Sequence, residues 1–86
     1  MKIFEIFLKN PDFYDGCYHK YVMVAENAES AFDLAMHIDE YGNINKRIVN
    51  YIAKDFYEVK VIGESNESQP RFVCGYYEPY NESKDE

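Results

Sequence analysis

The chain has 86 residues, 47 % of them hydrophobic, with sixteen acidic residues against nine basic ones and a formal net charge of -7. That length holds one domain with one core, which buries only about 60 % of the surface exposed on unfolding. The negative charge repels phosphates, which argues against direct nucleic-acid binding and against docking on an anionic membrane.

From Lys2 to Lys9 apolar residues alternate, with Phe4, Ile6 and Leu8 on one face and Ile3, Glu5, Phe7 and Lys9 on the other, which predicts a strand. The turn formers between Asn10 and Gly16 lead into a second strand, Cys17 to Val24, and so predict a hairpin. Asn27 has the side chain to cap a helix, and Ala28, Ala31, Leu34, Ala35 and Ile38 recur at helical spacing, so a helix is expected from Ala28 to about His37. Gly42 and Asn43 supply its stop, because both tolerate positive φ. Ile44, Ile48, Tyr51 and Ile52 form a shorter second helical pattern.

Alternation resumes from Phe56 to Ile62, a polar loop runs from Gly63 to Pro70, and a fourth strand spans Arg71 to Tyr77. The predicted fold is α+β: ββααββ, a four-stranded antiparallel sheet with one or two helices on one face. The first strand is apolar on both faces, which places it centrally in a strand order of 2-1-3-4. The domain covers residues 1–80, and residues 81–86 are a polar, flexible tail.

With Phe4, Ile6, Leu8, Val22, Val24, Tyr57, Val59 and Val61 under the helices, the other face collects Ile3, Glu5, Phe7, Cys17, His19, Tyr21, Met23, Phe56 and Ile62. Such an apolar face implies a cover: the tail or the 63–70 loop, a second copy, a foreign protein or a small molecule. Nine Tyr and six Phe make the chain 17 % aromatic, more phenol groups than a small core satisfies, so several tyrosines belong at the surface. Tyr76, Tyr77 and Tyr80 stand beside carboxylates near the C-terminal end.

Charge is segregated along the chain. No Lys or Arg lies between Tyr21 and Asn45, whereas Glu26, Glu29, Asp33, Asp39 and Glu40 do. Glu29 sits at the helix start, where it favours the dipole, but Asp39 and Glu40 lie at the other end. Either the acids serve solubility, or they orient the molecule against a basic partner.

Enzyme chemistry is not indicated. His19 and His37 have no catalytic neighbour at a known spacing, and Asp33 and His37 at i, i+4 could meet on one helix face, as a surface pair rather than a catalytic dyad. In a reducing cytosol Cys17 and Cys74 are expected to be two small buried thiols; they fall on opposite edges of the predicted sheet, which argues against a shared metal site, and no metal-ligand spacing or glycine-rich phosphate loop occurs. No cofactor is expected. "MKIFEIFLKN" carries Glu5 and has no small-residue cleavage site, and no run reaches the roughly 20 apolar residues of a membrane helix. A cytoplasmic protein is therefore expected.

The segments "KYVMVAENAESAFDLAMHI", "FYEVKVIGES" and "RFVCGYY" resemble in pattern the short orphan proteins of phages and mobile elements. The resemblance implies stoichiometric inhibition of host enzymes, as by anti-CRISPR and other anti-defence proteins, with carboxylates taking sites meant for phosphates. The sequence-level expectation is a non-enzymatic acidic module that binds a basic surface of a nucleic-acid-handling protein. Glu29, Asp33, Asp39 and Glu40 would supply the charge, and Phe7, Tyr21, Tyr76, Tyr77 and Tyr80 the aromatic contact. A self-associating structural protein, paired through the open sheet face, and a small-molecule-sequestering protein are the alternatives.

Overall fold

A computed structural model describes residues 1–50 and 52–80; Tyr51 of the expected second helix and the expected flexible tail lie outside the described residues. β1 (Lys2–Leu8) and β2 (Cys17–Ala25) form the expected hairpin, in register from Lys2 opposite Ala25 to Phe7 opposite Lys20. The connection between them holds a 3-10 turn at Pro11–Phe13 and Gly16 at φ +67°. β3 (Tyr57–Glu64) pairs with the other edge of β1, and β4 (Arg71–Glu78) pairs with β2. All the pairings are antiparallel, and the order is β3-β1-β2-β4.

The expected order 2-1-3-4 is therefore corrected: β1 does sit between β2 and β3, but β4 joins β2. The polar segment after β3 is a crossover and not a hairpin turn. Ser65 donates its amide to the Met1 carbonyl at 2.8 Å, and the Met1 amino group donates to the Ser65 carbonyl at 3.1 Å, which holds the segment at the start of β1. Ser65 and Glu67 then brace each other, and Arg71 pairs with Glu67, carrying the chain past the end of the hairpin to Val24.

α1 (Ala28–Ala35) begins as expected, with the Asn27 Oδ1 accepting from the Ser30 amide at 2.8 Å. Ala31, Phe32 and Ala35 are its buried stripe. The helix ends well before Gly42: the His37 and Ile38 amides reach back only three residues, to Leu34 and Ala35. Gly42, at φ +81°, instead closes a separate turn onto the Asp39 carbonyl.

Among the described residues the expected second helix does not form, and the sheet carries one α-helix. Asparagine side chains take the backbone donors that a helix would use: the Arg47 amide goes to the Asn45 Oδ1 and the Ile52 amide to the Asn50 Oδ1. Ile44 forms an isolated bridge with Ile38, and Asn50 donates its amide to the Met36 carbonyl, so the segment lies along the end of α1.

The strand faces also need correction. Paired residues share a face, and Phe4 opposes Met23 while Ile6 opposes Tyr21. Tyr21 and Met23 therefore enter the core, at 2 % and 0 % exposed, and Val22 turns to the opposite face. An extra residue in β2 at His19, where the register with β4 shifts between Tyr18 and Lys20, brings Tyr18 inward as well, stacked on Tyr21 at 4.6 Å. Cys17 is buried in the same cluster, and Val24 is buried opposite Ile3. The open face is not the expected apolar patch. Half-buried Ile3, Glu5, Phe7 and Val22 share it with exposed Lys20, Glu58, Lys60, Cys74 and Tyr76.

Candidate binding cleft

Where the start of β2 and the end of β4 meet the 38–50 segment, a cleft of about 440 Å³ opens. Tyr18 and Tyr21 form its floor, Tyr77, Ile38, Ile48 and Val49 line its sides, and Asp39, Glu40 and Tyr41 stand along it. Its lining includes no Lys, Arg or His.

The floor is held by hydrogen bonds that leave the rings little freedom. The Tyr18 hydroxyl donates to the Asp39 carbonyl at 2.7 Å. The Asn50 amide nitrogen donates to the Tyr21 hydroxyl at 3.0 Å and to that of Tyr57 at 2.8 Å, and Tyr57 donates to the Tyr18 carbonyl at 3.1 Å. Tyr77 sets its ring edge-on to Tyr18 at 5.2 Å, and Phe72 does so at 5.7 Å. The Asp39 carboxylate accepts from the Tyr41 and Asn43 amides at 3.0 and 2.9 Å, an Asx turn that shapes the loop and presents exposed Tyr41.

The electrostatics of the cleft follow from this packing. Burial, then the Asp39 charge, raises the Tyr18 phenol above its ordinary range; burial, then Glu40, raises Tyr77. Burial pushes Tyr57 up to about 12 and Tyr21 further still.

An unfolded tyrosine ionises near 10.0. The unfolded chain therefore loses its phenol protons first, so this contribution to stability is complete below about pH 10 and is lost as the pH rises toward 12. For Tyr57 alone the loss is on the order of 3 kcal/mol. Urea unfolding at mildly and strongly alkaline pH, with phenolate absorbance followed alongside, checks this. A stability unchanged through that window, with every tyrosine ionising together near its free value, contradicts it.

The structure separates the sequence-predicted contact residues into four places. Asp39, Glu40 and Tyr77 line the cleft, and Tyr80, 60 % exposed, lies against Gly16 at its end. Glu29 and Asp33 are exposed on α1 and take no part in the lining. Phe7 and Tyr76 lie on the open sheet face, in one row with Lys20 between them, and the Tyr76 hydroxyl donates to the Glu78 Oε2 at 2.7 Å. Tyr21 is buried, because the phase of β2 turns it inward, so it is floor and not exposed contact surface.

Sequence reasoning missed Tyr18, Tyr41 and Asn50. Asn50 had one usable signal: it is a lone amide in the apolar run "RIVNYIA", and a buried amide needs partners.

The two histidines are tied to backbone. The His37 Nδ1–H donates to the Ile48 carbonyl at 2.8 Å, and the His19 Nε2–H to that of Tyr14 at 2.7 Å. Cys17 and Cys74 lie on neighbouring strands, not on opposite edges; the register sets Cys17 opposite Glu78 and Cys74 opposite Val22, no disulfide joins them, and Cys74 is exposed where a buried thiol is expected. Among the described residues no group of three His, Cys, Asp or Glu side chains is placed to hold a metal ion, and no helix is long and apolar enough to cross a membrane. Comparison with known protein families, with curated proteins and with solved structures finds no match.

Proposed function

We propose that this chain is a non-enzymatic, acidic protein-binding module that docks on the basic surface of a partner and takes one of its Lys or Arg side chains into the cleft. The carrying observation is the lining itself: Tyr18, Tyr21, Tyr41 and Tyr77 with Asp39 and Glu40, and no cation. Aromatic faces attract a partly desolvated cation, and nearby carboxylates complete its pairing. The net charge of -7 steers such an encounter. A basic surface of this kind is what a nucleic-acid-processing or defence protein offers to phosphates. The partner class proposed is therefore a host protein of that type, and the role an inhibitor's, as the phage-protein resemblance implies.

The test is an NMR titration of the folded chain with an arginine- and lysine-rich peptide, with an acidic peptide of equal length as control. Chemical shifts of Tyr18, Tyr41 and Tyr77 are expected to move with the basic peptide alone. A Glu40→Lys variant is expected to weaken binding about tenfold, an effect that salt reduces. Shifts scattered over the surface, or equal with both peptides, defeat the proposal. The cleft volume of about 440 Å³ also suits a small ligand, which is the second reading. Saturable binding of a small organic cation, with no peptide binding, would favour it.

A further inference from the structure

Among the described residues β3 is an edge strand with one side open, and its geometry is self-complementary. The Lys9 amide donates to the Phe56 carbonyl at 3.0 Å, and Phe7 opposes Glu58 while Glu5 opposes Lys60. In an antiparallel ladder the hydrogen-bonded pairs alternate, so Phe56, Glu58 and Lys60 turn their backbone groups toward β1, and Tyr57, Val59 and Val61 turn theirs outward. The Tyr57 amide is already used, donating to the Lys54 carbonyl. What stays open to a partner strand is the Tyr57 carbonyl and both backbone groups of Val59 and Val61.

We infer that this edge pairs with the same edge of a second copy, about a two-fold axis at Val59. In that register Val59 meets its own counterpart and Tyr57 meets Val61, which makes about four backbone hydrogen bonds across the axis. Glu58 then falls opposite Lys60 of the other copy, twice by symmetry. Those positions are non-hydrogen-bonded pairs, in which cross-strand side chains come closest. A lone edge lysine repels a copy of itself; a glutamate two residues earlier turns the repulsion into attraction. The regular part of the strand fits this register too. The register with β1 shifts at Ile62, so the unbroken ladder spans Tyr57 to Val61, centred on Val59.

Apolar surface gathers at the same edge, with Val61 51 %, Ile62 48 % and Phe56 47 % exposed. The opposite edge is less suited: β4 is flanked by Pro70 and Pro79, and its register with β2 shifts at Val73. No residue of β3 lines the cleft, so the paired form keeps both clefts open and stands independently of the binding proposed above.

Sedimentation equilibrium of the full chain, from low-micromolar to near-millimolar concentration, tests this. The expected result is a shift from one to two chain masses, with concentration-dependent protection of the Val59 and Val61 amides from hydrogen exchange. E58K and K60E each place like charges opposite one another and are expected to weaken pairing about tenfold or more. The double variant E58K/K60E restores opposite charges in the same register and is expected to restore the dimer. Far-UV circular dichroism confirms that each variant is folded. A monomer at every concentration overturns the inference. So does a dimer indifferent to both single variants, or one that the double variant fails to restore.

Discussion

Replacing Asn50 with alanine is expected to cost the fold about 3 kcal/mol, a large part of the roughly 4 to 13 kcal/mol that a domain of this size has in total. One carboxamide joins elements distant in the chain. Its nitrogen donates to the hydroxyls of Tyr21 on β2 and Tyr57 on β3, and its oxygen accepts from the Ile52 amide. Alanine leaves those groups half-buried or buried without that partner, and each such loss costs about 1 to 3 kcal/mol.

Tyr57→Phe removes one of the same bonds together with the donor to the Tyr18 carbonyl, so the two losses overlap. The double variant is expected to fall short of the sum of the singles by about 1 kcal/mol. Urea unfolding followed by far-UV circular dichroism measures all three. A cost below about 1 kcal/mol for Asn50→Ala would show that water replaces the amide readily.

Gly75→Ala is the second large effect, expected at about 2 to 4 kcal/mol. A Cβ at Gly75 would stand 2.5 Å from the Lys20 carbonyl oxygen of the neighbouring strand, and 3.1 and 3.2 Å from atoms of the Phe72 ring. That ring lies over the bare backbone of Gly75 and also meets Gly42, and from there it makes its edge contacts with Tyr18 and Tyr21. Introducing Phe72→Ala beside it separates the two clashes. Because the carbonyl belongs to the β2 backbone and cannot move away cheaply, most of the cost is expected to persist in that background.

Gly63→Ala is the internal comparison, since its Cβ would meet only ordinary contacts with Ile3, the nearest at 3.5 Å. Equal denaturation midpoints for the two glycine variants would refute the argument from close approach.

Much of the fold is legible in the residues. Alternation marks β1 and β3 within two residues of their observed ends, Asn27 marks the start of the helix, and the apolarity of β1 on both faces puts it between two strands. What fails does so for stated reasons. "YVMVA" in β2 has no polar residue to reveal which face is inward, and the extra residue at His19 shows only once a partner strand exists. Ile44, Ile48 and Ile52 keep helical spacing, but Asn45 and Asn50 between them offer the backbone other partners. β4 crosses to the far edge because the Met1 and Ser65 backbones hold the preceding loop, a long-range contact that no local pattern carries.

The candidate site was half readable for the same cause. Acidic Asp39 and Glu40 and the C-terminal tyrosines stand out along the chain, whereas Tyr18 and Asn50 gain their roles from tertiary contacts.

The placement of β3 and β4 on either side of the hairpin also bears on how the chain assembles. The inner pair of strands is encoded within the first 25 residues, and both flanking strands come from the second half. During synthesis the middle of the sheet thus emerges from the ribosome before either margin. The hairpin closes a short loop at small entropic cost, and each later strand finds a template already formed.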